Sequence, residues 1–249
     1  MPRVLLLLMI PALADFPLER VLPLKGDTHH VQGIDFDSRR IWVSSVDAPN
    51  RTGYLQEFSL ATGDLLREIK LGDGVRFHPG GISADPSSLW MPVAEYRRDS
   101  SSVIERRNKE TLELEFRFSV SDHIGCVAVT PELIIGGNWD SRTFYVWDHK
   151  GTLIRKLPNP TPNAYQDIKY LSKRLVASGL LPGRVGAIDW LDPVDFKLLQ
   201  RVNAGQTDRG EPYTREAMAI GGGRLLLVPE DAPSRLFIFR LPPSLWGRL

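Results

Sequence analysis

Between residues 18 and 241 the chain alternates short apolar runs with turn chemistry, and the runs recur in groups. Five segments share one form: His30 to Ile34 (HVQGI), His78 to Ile82 (HPGGI), His123 to Val127 (HIGCV), Ala164 to Ile168 (AYQDI) and Thr214 to Met218 (TREAM). Their last residues lie 48, 45, 41 and 50 positions apart. A second run follows each, as in Ile41-Trp-Val43, Leu89-Trp-Met91 and Leu225 to Val228. A third follows that, as in Phe144 to Trp147 and Leu236 to Phe239. A fourth appears in four of the units, as in Leu65 to Ile69. Turn residues such as Ala61-Thr-Gly-Asp64 and His149-Lys-Gly151 separate the runs. Four short strands repeated every 40 to 50 residues, with no convincing amphipathic helix, predict an all-β, five-bladed β-propeller. The fifth unit lacks a fourth strand, and Leu18 to Leu24, ahead of the first unit, is placed to supply it and close the ring.

The repeat register sorts residues into tiers. The first strand of each blade lines the axis, and side chains two apart share a side. Ile34, Ile82, Val127, Ile168 and Met218 form an apolar tier expected to pack between blades. Two positions earlier stand Gln32, Gly80, Gly125, Gln166 and Glu216, and two earlier again His30, His78, His123, Ala164 and Thr214. Three of the five histidines therefore share one repeat position on consecutive blades. Neutral imidazoles converging there, with Glu216 beside them, predict a site for zinc or another divalent first-row metal with an open position. The alternative is a wet polar lining. Glu216, Gln32 and Gln166 are the candidate catalytic residues.

The turn between the second and third strands carries Asp47, Glu95, Asp140 and Asp231, and an arginine follows in every blade: Arg51, Arg98, Arg142, Arg184 and Arg235. Acid and arginine in one turn ordinarily fix the loop by a local or inter-blade ion pair. A guanidinium left over can fork onto a carboxylate or phosphate. Arg184, whose blade lacks the acid, and Arg142 are the candidates, with Trp139 and Tyr165 as aromatic contacts at the rim.

The net charge of +1 gives no case for nucleic acid. Arg3, the apolar Val4 to Ile10 and Ala12-Leu-Ala14 read as a signal peptide cleaved before Asp15, which leaves one domain over 15–249, secreted or periplasmic, with no membrane span. Cys126 is alone and cannot form an intramolecular disulfide. A monomer binding a small molecule or peptide is expected.

At the first-strand segments the chain resembles the five-bladed glutamine cyclotransferases of the plant and bacterial type, whose blades open with TQGL, FGEGI, EGWGL, LNELE and NGIA. The matching stretches are Val31 to Ile34, Phe77 to Ile82, His123 to Val127, Tyr165 to Lys169 and Glu216 to Ala219. The resemblance implies the fold and, as one alternative, cyclisation of an N-terminal glutamine. Gly80 and His123 stand where the family carries glutamates, and Asp167 and Glu216 are the carboxylates left in the inner zone to move the proton. Three functions stay open: metal-assisted hydrolysis, elimination or isomerisation at the histidine mouth; a cyclotransferase with a rearranged site; and a non-catalytic propeller presenting its rim to a protein or saccharide.

Overall fold

The computed structural model describes residues 11–246, so the apolar stretch read as the core of a leader lies outside the described residues. Each blade is one antiparallel sheet of four strands, counted as five in the second blade because its axial strand is split in two; in the first four blades the axial strand comes first and the outermost last. The axial strands are His30–Phe36, the interrupted pair His78–Pro79 and Ser83–Ala84, Ile124–Val129, Ala164–Leu171 and Glu216–Gly221. In the last blade the outermost strand is Leu18–Pro23, which pairs with Arg235–Arg240. The expected closure is therefore present, and the ring has no unpaired seam.

The apolar tier explains why the blades stack. Ile34, Ile82, Val127, Ile168 and Met218 are fully buried, and each belongs to a different cluster. Each cluster joins two neighbouring blades, so Met218 packs between the fourth and fifth and Ile34 between the fifth and first. Ile168, Ile82 and Val127 do the same at the other three interfaces. Burying one such side chain stabilises by about 1.5–3 kcal/mol, and five equivalent interfaces repeat the gain around the ring. Leu13, beside the expected cleavage point, is also buried between the fourth and fifth blades.

Two features depart from the sequence expectation. Strict alternation fails because the ladder shifts register between Val31 and Gly33, between Ile124 and Cys126, and between Tyr165 and Asp167. One extra residue stands in each bulge, which turns Gln32, Gly125 and Gln166 toward the axis. The inner-zone carboxylate Asp167 also lies deeper than a proton-moving residue at the mouth would, and it is absent from the lining of the histidine cavity. Asp167, wholly buried, accepts the backbone N–H groups of Ile168, Met218 and Ile34 at 2.9, 3.2 and 3.3 Å. Its other partner is the ammonium of Lys169 at 2.5 Å.

Glycine closes the centre. A Cβ on Gly33 would sit 2.4 Å from the Gly81 Cα, and one on Gly81 would sit 2.5 Å from the Asp167 carboxylate. The inner strands of the first and second blades are thus in backbone contact, and the Asp167 side chain fills the space beside Gly81, which only residues without a side chain permit. The cavities at the two ends of the channel share no lining residue, and Asp167 lies between them.

Candidate functional site

The first mouth is built from the starts of the inner strands, where five blades converge. A cavity of about 170 Å³ is lined by His30, Gln32, His78, His123, Tyr165, Gln166 and Glu216, with Trp139 and Tyr96 at its rim. Most of the side chains singled out from the repeat register therefore meet in one place. Arg142 and Arg184 do not line it. Arg142 donates to the carbonyls of Asp140 and Asn163 and ties two blades together. Arg184 is largely exposed and faces Glu211 at 3.7 Å.

The three histidines divide by partner. His123 Nδ1 lies 2.9 Å from the Arg97 carbonyl, so this nitrogen carries the proton and Nε2 remains an acceptor. His78 Nε2 lies 3.0 Å from Gln32 Oε1, which assigns its proton in the same way. The remaining His78 Nδ1 is buried without a hydrogen-bond partner. Burial, reinforced by the neighbouring imidazoles, pushes the His78 pKa down to about 3. Burial also holds His123 below the usual imidazole range. Both rings are therefore neutral acceptors at physiological pH.

His30 turns to a different set. Its Nδ1 stands 3.1 Å from Glu230 Oε1, without the alignment of a hydrogen bond. Burial lowers its pKa against the opposing pull of Glu230. Together His30, Glu216 and Glu230 place one ligand atom each within 4.8 Å of one another, a grouping able in principle to hold a metal ion. Neither His78 nor His123 joins it, so the donors that gather are one histidine and two glutamates rather than three histidines and one. Glu216 is buried, and burial followed by the charge of Glu230 raises its pKa to about 7. Arg215 spans both carboxylates, 2.6 Å from Glu230 and 3.5 Å from Glu216.

Glu230 escaped the sequence reading because the register places Asp231 at the turn position. Asp231 instead faces inward to Arg209 and Arg235. The available signal was adjacency, since a second acid beside the turn acid has its side chain free for the other direction.

An aromatic wall flanks the donors. Trp139 stands edge-on to His123 with centroids 4.5 Å apart, and Tyr96 covers His78 at 4.2 Å. Trp139 begins a single 3₁₀ turn, Trp139–Ser141, in which Asp140 and Ser141 hold positive φ of 57° and 49°. Non-glycine residues adopt that region at a cost, met here by partners. Asp140 receives Arg98 from the neighbouring blade at 2.7 Å, and Ser141 donates to the Tyr165 carbonyl at 3.0 Å. Arg98 also lies 5.3 Å over the Trp139 ring. The inter-blade ion pair expected of the turn arginines thus holds for Arg98, while Arg235 pairs locally with Asp231.

Comparison with known proteins adds the fold and leaves the chemistry to the site. Residues 44–163 match the model of a family of unknown function, DUF6454. No curated protein matches the chain. The structure is similar to that of Myxococcus xanthus glutaminyl cyclase, with a TM-score of 0.68 and 15% identity, over 90% of this chain and 95% of that one. The WD40 domain of Neurospora crassa Pan2 gives a TM-score of 0.49 at 11% identity, over 86% of this chain and 79% of that one. At these identities the likeness establishes architecture alone: a five-bladed β-propeller resembling the glutaminyl-cyclase fold.

Proposed function

We propose that the histidine mouth is a small-ligand site that holds a first-row divalent metal on His30, Glu216 and Glu230 and serves a metal-assisted hydrolase, lyase or isomerase. The observation that carries this reading is the approach of those three donors to within 4.8 Å of one another. One imidazole and two carboxylates suit zinc or manganese and leave positions open for a ligand. A metal there would polarise a carbonyl or activate water. Arg215 engages one oxygen of Glu230 and leaves the other facing His30, which orients the carboxylate as outer partners of metal ligands do. The neutral His78 and His123 add acceptors on the far wall, and the cavity volume suits a substrate of roughly ten heavy atoms or fewer.

Metal analysis of the purified protein and calorimetric titration with zinc and manganese test it. Stoichiometric binding, lost in His30→Ala and in Glu216→Gln, is expected. Absence of binding, or binding indifferent to both substitutions, overturns it.

A second reading draws on the near-complete structural overlap with a glutaminyl cyclase. Glu216 would then move the proton during cyclisation of a glutamine-initiated peptide, without metal. Ammonia release from such a peptide by metal-free protein favours this reading, and its absence removes it. The proposal includes export, with residues 1–14 as leader, and N-terminal sequencing of protein from its native host checks the expected start at Asp15.

A further inference from the structure

We propose that the opposite mouth of the channel is a second ligand site, which takes a small molecule carrying an oxyanion, a carboxylate or a phosphate, on Lys109 and Lys169. A cavity of about 630 Å³ opens where the inner strands end, and its lining includes Asp35, Ser83, Lys109, Lys169 and Gly221. That volume falls in the range of small-molecule pockets.

Several of the lining groups have donors left to give. Lys109 is only 9% exposed, yet among the described residues no carboxylate lies within ion-pair distance of it. Its ammonium donates to the Asp85 carbonyl at 3.2 Å and lies 4.9 Å over the Trp42 ring. Two of its three N–H groups remain without a hydrogen-bond acceptor among the described residues. The Asp35 carboxyl feels this charge from beyond ion-pair distance, so no acid takes up the remaining N–H groups directly, and a bound anion would. Lys169, 4% exposed, uses one N–H on Asp167 and one on the Ile168 carbonyl, which leaves a third. Ser83 Oγ accepts the Val129 N–H at 3.0 Å and keeps its own proton to donate.

The carboxylates on the same wall are already engaged. Asp37 takes the N–H groups of Arg39 and Arg40 and the Arg40 guanidinium. Asp85 takes the N–H groups of Ser87 and Ser88 and the Trp90 indole. Asp35 accepts Phe36 and Ala84 N–H at 2.8 and 2.7 Å, and burial pushes its carboxyl toward the neutral form. Acids and bases balance in number along this wall, so the surplus is one of donors, on Lys109, Lys169 and Ser83, whose several free N–H and O–H groups the clustered oxygens of a carboxylate or phosphate satisfy. The fifth blade contributes Gly221 and Gly222, and a Cβ at Gly222 would meet nothing within 4 Å, so that side of the mouth stands open for a ligand to enter.

Calorimetry with inorganic phosphate and with succinate tests the proposal, with glucose as a neutral probe. Wild type is expected to bind at least one of the two anions and not glucose. Binding of phosphate alone assigns a phosphoryl group, and binding of succinate alone a carboxylate. Lys109→Met is expected to weaken that binding about tenfold or more, and Lys109→Arg to retain most of it. If Lys109→Met does not fold, Ser83→Ala with Lys109→Arg as control carries the same comparison. Failure of both anions to bind, preference for glucose, or unchanged binding in the variants overturns the site. His30→Ala, at the other mouth, is expected to leave anion binding intact, so this result stands apart from the fate of the metal reading.

Discussion

The two mouths of the channel are made by the same five strands, yet they end with opposite surpluses. At the histidine mouth the unspent groups are acceptors: the free Nδ1 of His78, the Nε2 of His123 and the carboxylates of Glu216 and Glu230. At the lysine mouth they are the donors of Lys109 and Lys169. One end is narrow and walled by Trp139 and Tyr96, and the other is wider and bare along the glycines of the fifth blade. Gly33, Gly81 and Asp167 bring the strands into contact midway, and the two cavities share no lining residue. One scaffold thus carries two cavities of opposite hydrogen-bonding character.

The sharpest way to break the comparison is to remove Asp167 from between the two cavities. Asp167→Ala strips the counter-charge from the buried Lys169 and three acceptor contacts from the backbone of three blades. A loss of about 3–5 kcal/mol is expected in urea denaturation, and a loss below ~1 kcal/mol would show that the two mouths do not share this anchor.

The next effect separates the mouths by pH. His78 is held neutral in the fold, with a pKa near 3 against an ordinary value of 6.5. Below pH 6.5 the unfolded chain therefore binds the proton that the folded chain refuses, and stability falls as the pH drops through that window. Glu216 and Asp167, with raised pKa values, pull the other way, so the test is a difference. Wild type is expected to lose roughly 2 kcal/mol more than His78→Gln between pH 6.5 and 5. Parallel stability profiles would place the His78 ring in water rather than in a dry wall.

The smallest expected effect concerns orientation. Arg215→Met frees Glu230 to swing, and metal affinity at the histidine mouth should fall about tenfold, or ~1.4 kcal/mol, while anion binding at the other mouth does not change. An unchanged metal titration would mean that Arg215 neutralises the carboxylates without positioning them.

What was legible in the sequence follows from what repeats. Ile34, Ile82, Val127, Ile168 and Met218 recur because five equivalent interfaces need the same apolar knob, and that recurrence gave blade number, strand order and the gathering of His30, His78 and His123 at one end. What breaks the repeat was hidden. The bulges at Gln32, Gly125 and Gln166 shift side chains by one position, and nothing in local propensity announces them. Glu230 and Asp231 are adjacent acids, and only the placement of Arg209 and Arg235 decides which one turns inward. Asp167 was visible as an inner carboxylate, but its reach to Ile34 and Met218 exists only once five blades stand around one axis.

The closing strand has a mechanical consequence. Leu18 pairs with Phe239, so the start of the first strand and the finish of the last lie side by side, and Glu19 meets Arg240 across 221 positions of sequence. A force applied at Leu18 and Phe239 themselves would load these backbone bonds one at a time, as a zipper, rather than all together in shear. Leu13 and Phe16 before the seam and Leu245 after it are buried against the fourth and fifth blades, so these flanks must be pulled away before a tug reaches the seam that completes the ring.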